Sequence, residues 1–135
     1  PLDSTMFWYA DIGMGWQGNT DICDDNVIRI SASSMDYYKV DDDGPWINAD
    51  GDPDAAVPSD YPCPSGCKVG QAILRFRNYD GTIDIVEPLG TGKVFRLPDH
   101  GTIWVRINDI SPANNVWKVE AGLQHHAGVS YMGAD

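Results

Sequence analysis

The residue types best suited to chemistry lie close together late in the chain. Ile107-Asn108-Asp109-Ile110-Ser111-Pro112-Ala113-Asn114-Asn115 holds one carboxylate, two adjacent amides and several main-chain carbonyls in one short loop. Calcium takes about six to eight hard oxygen ligands at flexible geometry, and such a loop can supply them from Asp, Asn and the main chain together. The same residues also build ordinary turns, so local composition leaves both readings open. The flanks favour a rigid loop. Gly101 to Ile107 reads as a strand because Ile103, Val105 and Ile107 alternate with Trp104 and Arg106, and Val116 to Ala121 reads as the next strand.

Three other groups of residues are candidates for chemistry. Asn48-Ala49-Asp50-Gly51-Asp52-Pro53-Asp54 spaces oxygens at every other residue, as a calcium loop does. It is not an EF-hand, since Pro53 stands where the loop needs Gly and Ser59 where it needs Glu, so a solvated acidic loop is expected. Cys63-Pro-Ser-Gly-Cys67 can close a small disulfide ring, which implies an oxidising compartment. A zinc site would need two more ligands from His100, His125 and His126; disulfide is favoured over zinc, and free thiols stay open. Tyr37, Tyr38 and Trp46 can stack on the face of a sugar, the plain alternative being a place in the core or at its rim. No Asp pair is singled out for acid–base work, and neither a Gly-x-Ser-x-Gly elbow nor a metalloprotease motif occurs, so an enzyme is not expected.

The scaffold these residues need is legible in composition and period. The chain of 135 residues fits one domain with a real core, taken as residues 1–124 with 125–135 as a tail. Of its 20 acidic residues only Glu87 and Glu120 are Glu, and 14 Gly and 9 Pro accompany the Asp, a composition of many turns and few helices. The formal net charge of −11, with no cluster of Lys and Arg, excludes nucleic acid as a partner. No run approaches the roughly 20 apolar residues of a membrane span. A start at Pro1 is expected of a processed or excised piece whose export signal is gone.

Strands are expected at Met6 to Ile12, Thr20 to Cys23, Val27 to Ser33, Ala72 to Arg77, Thr82 to Val86, Lys93 to Leu97, Gly101 to Ile107 and Val116 to Ala121. Asn78-Tyr79-Asp80-Gly81 carries the Asp-Gly hairpin signal. Ser34 to Pro64 is weakly patterned and reads as a long acidic loop, functional or disordered. About eight short strands separated by turns imply an all-β, antiparallel sandwich or jelly roll.

Several segments, in order, resemble the LecA-like family of calcium-dependent bacterial galactophilic lectins. Gly15-Trp16-Gln17, Thr20-Asp21-Ile22 and Val27-Ile28-Arg29-Ile30-Ser31-Ala32-Ser33 resemble the family's opening. The cysteine pair ahead of Gly70-Gln71-Ala72-Ile73-Leu74 is similar to the family's own, and Gly101 to Asp109 followed by Asn114-Asn115 resembles its hallmark strand and calcium loop. The resemblance spans roughly residues 7 to 121. It implies a galactose-binding-like jelly roll in which one Ca2+ bridges protein and two vicinal sugar hydroxyls. Carried over, Asp109, Asn114 and Asn115 would give side-chain oxygens, Ser111 or Pro112 to Ala113 a main-chain carbonyl, and Tyr37 or Tyr38 a last carbonyl. Three positions depart from the pattern: the Asp109–Asn114 loop is shorter, Val116-Trp117 stands where Gly is expected, and Ala55-Ala56-Val57-Pro58 has no pocket His.

The expectation is therefore a secreted or cell-surface, calcium-dependent carbohydrate-binding domain, with galactose-type sugars not assured. The alternative is the same sandwich used as an assembly module, a homo-oligomer or filament with little or no sugar binding.

Overall fold

A computed structural model describes residues 2–11, 15–22, 27–32, 37–41, 43–96, 98–110, 116–117 and 126–134. All regular structure among them is β. The strands run β1 (Leu2–Asp11), β2 (Gln17–Ile22), β3 (Val27–Ala32), β4 (Tyr38–Lys39), β5 (Ala72–Asn78), β6 (Asp84–Pro88), β7 (Gly92–Arg96), β8 (Gly101–Ile107), β9 (Val116–Trp117) and β10 (His126–Ala134). One sheet has the order β1-β10-β3-β7, a second β2-β8-β5-β6, and β4 pairs with β9 as a separate ladder. Every pairing is antiparallel.

The centre of the second sheet forms for the reason its sequence implies. Ala72, Leu74 and Phe76 on β5 lie opposite Ile107, Val105 and Ile103 on β8, and all six are buried. Period-two apolar residues in register on neighbouring strands give one continuous apolar face. Phe95 of β7 packs its ring 6.0 Å from that of Phe76, which joins the first sheet to this core. The hairpin at Asn78–Gly81 turns where expected, with Gly81 at φ 75°. Pro88 ends β6, an edge strand, where a missing N–H costs no ladder bond.

On its other face β5 is buried only at its start, since Arg75 is half-buried and Arg77 exposed. Ile73 packs against Cys63 and Cys67, with Trp16 and Val86 around them. Cys63 and Cys67 are joined by a disulfide, as favoured over zinc.

Two expectations need correction. Residues 126–134, expected as part of a tail, form β10, which lies between β1 and β3. The segment after Ser34 is not one loose loop. Tyr38 bridges Ile47, Asp52 bridges Val69, and Ala49 is buried and accepts the Ala72 N–H. Main-chain bonds to strands and their flanks hold this segment, which offsets its sparse apolar content.

Candidate functional site

The site is built where β8 ends. Asp109 follows the last inward residue of β8 and is 4% exposed, a carboxylate held largely out of water. Its N–H donates to Ile107 O at 3.0 Å, and its carbonyl accepts from Arg106 Nη2 at 2.6 Å. Arg106 also donates through Nε to Ile107 O, and its guanidinium lies 5.7 Å from the centre of the Trp16 ring. Burial lowers the Arg106 pKa from its ordinary value, opposed by the Asp109 carboxylate. Asp109 is thus fixed by its own main chain.

The Tyr61 phenol stands over the same carboxylate. Its pKa is raised, first by burial, then by the charge of Asp109 and a hydrogen bond to it, and further by the charges of Asp60 and Asp41. The charges that act on Tyr61 come from the end of β8, from the residue before Tyr61 and from the segment after β4. Neither Asp41 nor Asp60 was singled out in the sequence, because each sits in a stretch whose acids have no distinguishing spacing.

β9 is held by the short strand β4. β9 begins one residue after Asn115, and its Val116 and Trp117 pair with Lys39 and Tyr38. The residues that follow β4 are Val40 and Asp41. Ser111, Pro112, Asn114 and Asn115, expected as ligands, lie outside the described residues. Among the described residues no three His, Cys, Asp or Glu side chains form a group that would hold a metal ion.

Tyr38 corrects an expectation. It is fully buried, its N–H and carbonyl both pair with Ile47, and its hydroxyl donates toward Gly70 O at 2.6 Å and Asn48 O at 3.0 Å. The ring belongs to the core and cannot stack on a ligand. Its carbonyl, paired with Ile47, is no ready metal ligand. Gly70 makes this approach possible: at φ 73° it sits against Ile47, where a Cβ would collide.

Tyr37 and Trp46 do reach solvent, at 36% and 41% exposure. They line an open groove of about 270 Å³ with Pro45, Asn48, Asp52 and Asp54. Lys39 Nζ lies 4.6 Å from the centre of the Trp46 ring and steadies that side chain. The groove floor is rigid for a local reason. Asn48 Oδ1 accepts the Asp50 N–H and Asp52 Oδ1 accepts the Asp54 N–H, two Asx turns in series. Asp50 turns away and accepts the Thr91 N–H. The alternating oxygens of residues 48–54 thus shape turns, in keeping with the acidic loop expected there.

No family model matches the chain. No curated protein matches it either.

One residue that holds the end of β8 in place has no signal in the sequence. Asn108, read as part of the loop, is fully buried, and its side chain bonds the disulfide segment 40 and 45 residues away. No local signal distinguishes it from a turn Asn, since its partners are remote in sequence.

Proposed function

We propose that this chain is a calcium-dependent carbohydrate-binding domain of a secreted or cell-surface protein, a binding module rather than an enzyme. The observation that carries the reading is the β4–β9 pairing. It sets Val116 and Trp117, which follow the Asn pair in sequence, on the strand that begins beside Tyr37, and Tyr37 lines an open groove with exposed aromatic rings and acidic rims. Two four-stranded antiparallel sheets joined through Phe76 and Phe95 are the support a jelly-roll sandwich would provide.

The residue chemistry fits a hard cation. Asp109 supplies charge, and the Asn114 and Asn115 amides would supply oxygens to Ca2+ and N–H donors to a sugar. Bound Ca2+ supplies open coordination positions that two vicinal hydroxyls can fill. Trp46 and Tyr37 offer apolar faces to the C–H side of a pyranose, while Asp52 and Asp54 offer acceptors to its hydroxyls. The acidic rim disfavours sialylated or sulfated glycans, because like charges would meet at short range. Galactose remains one candidate among neutral sugars. The Cys63–Cys67 disulfide supports an oxidising, extracellular setting.

Calorimetric titration with calcium, followed by a glycan array with and without chelator, tests this directly. Calcium binding with chelator-sensitive glycan signal is expected; an array unchanged by chelator removes the reading.

A second reading, an assembly module, is favoured by the edges of the first sheet. Both β1 and β7 are edge strands, and β7 presents Val94 to solvent. Such an edge accepts a strand from another copy. Light scattering and electron microscopy discriminate, since a monomer at all concentrations counts against it.

A further inference from the structure

We propose that the Cys63–Cys67 disulfide ring is a positioning bracket for Asp109, coupled to it through Asn108, and that opening the ring weakens the adjoining cation site. The second half rests on the calcium reading above; the first does not.

Asn108 immediately precedes Asp109, is 0% exposed, and has every hydrogen-bonding group engaged. Its Oδ1 accepts the Cys63 N–H at 2.9 Å. Its Nδ2 donates to Cys63 O at 2.9 Å and to Lys68 O at 3.0 Å. One amide therefore joins both ends of the ring, Cys63 at its start and the residue just past Cys67. Its main chain is held as firmly: the Asn108 N–H donates to Gln71 O and its carbonyl accepts from Gly70 N–H, each at 2.8 Å. A residue held by five hydrogen bonds cannot rotate without breaking several of them at once in a site that water does not reach. The orientation of Asp109 follows from that of Asn108.

The same segment touches Asp109 a second time, through Tyr61, two residues before Cys63. The ring itself is buried against Ile73, Trp16 and Val86, so it forms a fixed base. A ring closed across a sequence separation of 4 restricts the unfolded chain less than a longer loop would. It also acts locally. Opening it frees Cys63 and Lys68 to move apart, and Asn108 then loses a rigid partner on one side.

The chemistry of opening is a two-electron reduction. A dithiol reagent gives two electrons and two protons; the Cys63–Cys67 S–S bond breaks to two thiols, and the reagent closes to its own cyclic disulfide.

The test compares three forms of the full chain: oxidised, dithiothreitol-reduced, and the Cys63→Ser/Cys67→Ser variant. Each is titrated with calcium chloride by calorimetry. In chelator, NMR amide hydrogen exchange reports the Asn108 and Asp109 N–H groups against those of β5 and β8. Opening the ring is expected to weaken calcium binding by about tenfold or more, the range for partners that orient a metal ligand. It is also expected to speed exchange at Asn108 and Asp109 while the β5–β8 ladder stays protected. Asn108→Asp, which keeps the acceptor and loses both donors, should give the same pattern without touching sulfur. Unchanged exchange at both residues overturns the bracket whatever calcium does. Changed exchange with no calcium binding in any form, the oxidised one included, keeps the bracket and overturns the cation site.

Discussion

At the scale of single residues, the two side chains proposed to bind differ in exposure, Asp109 at 4% and Trp46 at 41%. Asp109 combines burial with charge, and removing the charge while keeping the shape isolates its role. Asp109→Asn is expected to weaken calcium binding by about a hundredfold, since affinity in such sites follows ligand charge; calorimetry reads this, and circular dichroism should show the fold intact. Trp46 is half in water, so truncation should spare the core. Trp46→Ala is expected to cost about 1–2 kcal/mol of glycan affinity, roughly tenfold, with an unchanged melting temperature. Asp109 and Trp46 stand out in the sequence as a carboxylate ahead of an Asn pair and an aromatic in an acidic loop, and in the structure the first is buried and the second reaches solvent. Tyr38 was not separable from Tyr37, since both are amphipathic and only one reaches water. Asn108 was illegible because its partners lie across a gap that no local pattern spans.

At the scale of elements, legibility follows how much of a strand faces apolar surroundings on one side. β5 and β8 showed themselves by alternation because their pleats bury one face against the core. β4 is two residues long, too short for any period, and exists because Tyr38 and Lys39 pair with Trp117 and Val116. β10 carries Gly128 and Gly133, which weaken a strand signal, and main-chain pairing on both sides of it overrides that propensity. Close approach of strands sets the next expectation. Gly101 lies opposite Asn78, and a Cβ there would press on Arg77 O and sit 2.8 Å from the Phe76 ring. Gly101→Ala is therefore expected to destabilise the fold by about 1–3 kcal/mol in urea denaturation, as overpacking does. Tyr38→Phe should cost about 1–3 kcal/mol, because it leaves a buried carbonyl without its donor.

For the whole molecule, a net charge of −11 sets the response to ions and acid. Calcium at about a hundred times its Kd is expected to add about 2.7 kcal/mol of stability, a shift on the order of 10 °C in melting temperature; differential scanning calorimetry with calcium and with chelator checks it. Acid acts through pairs such as Arg75–Asp84, bonded at 2.9 and 2.7 Å. The Arg75 hydrogen bond holds the Asp84 carboxyl below its ordinary pKa. A depressed carboxyl stabilises the native state at neutral pH and loses that contribution as pH falls below about 4. Arg75→Met should therefore cost about 0.5 kcal/mol at pH 7, as an exposed pair does, and nothing near pH 2. The all-β class, the disulfide and the central hairpin were legible from period and spacing, whereas the pairing of distant strands was not. That pairing has a consequence for synthesis. Since β10 separates β1 from β3, a nascent chain emerging from the ribosome can zip β3 to β7 but must leave β1 without its neighbour until the final strand is translated. Chains that stall before residue 126 would expose the waiting ten-residue β1 to other strands, so chaperone capture and aggregation of truncated products should concentrate on that first strand.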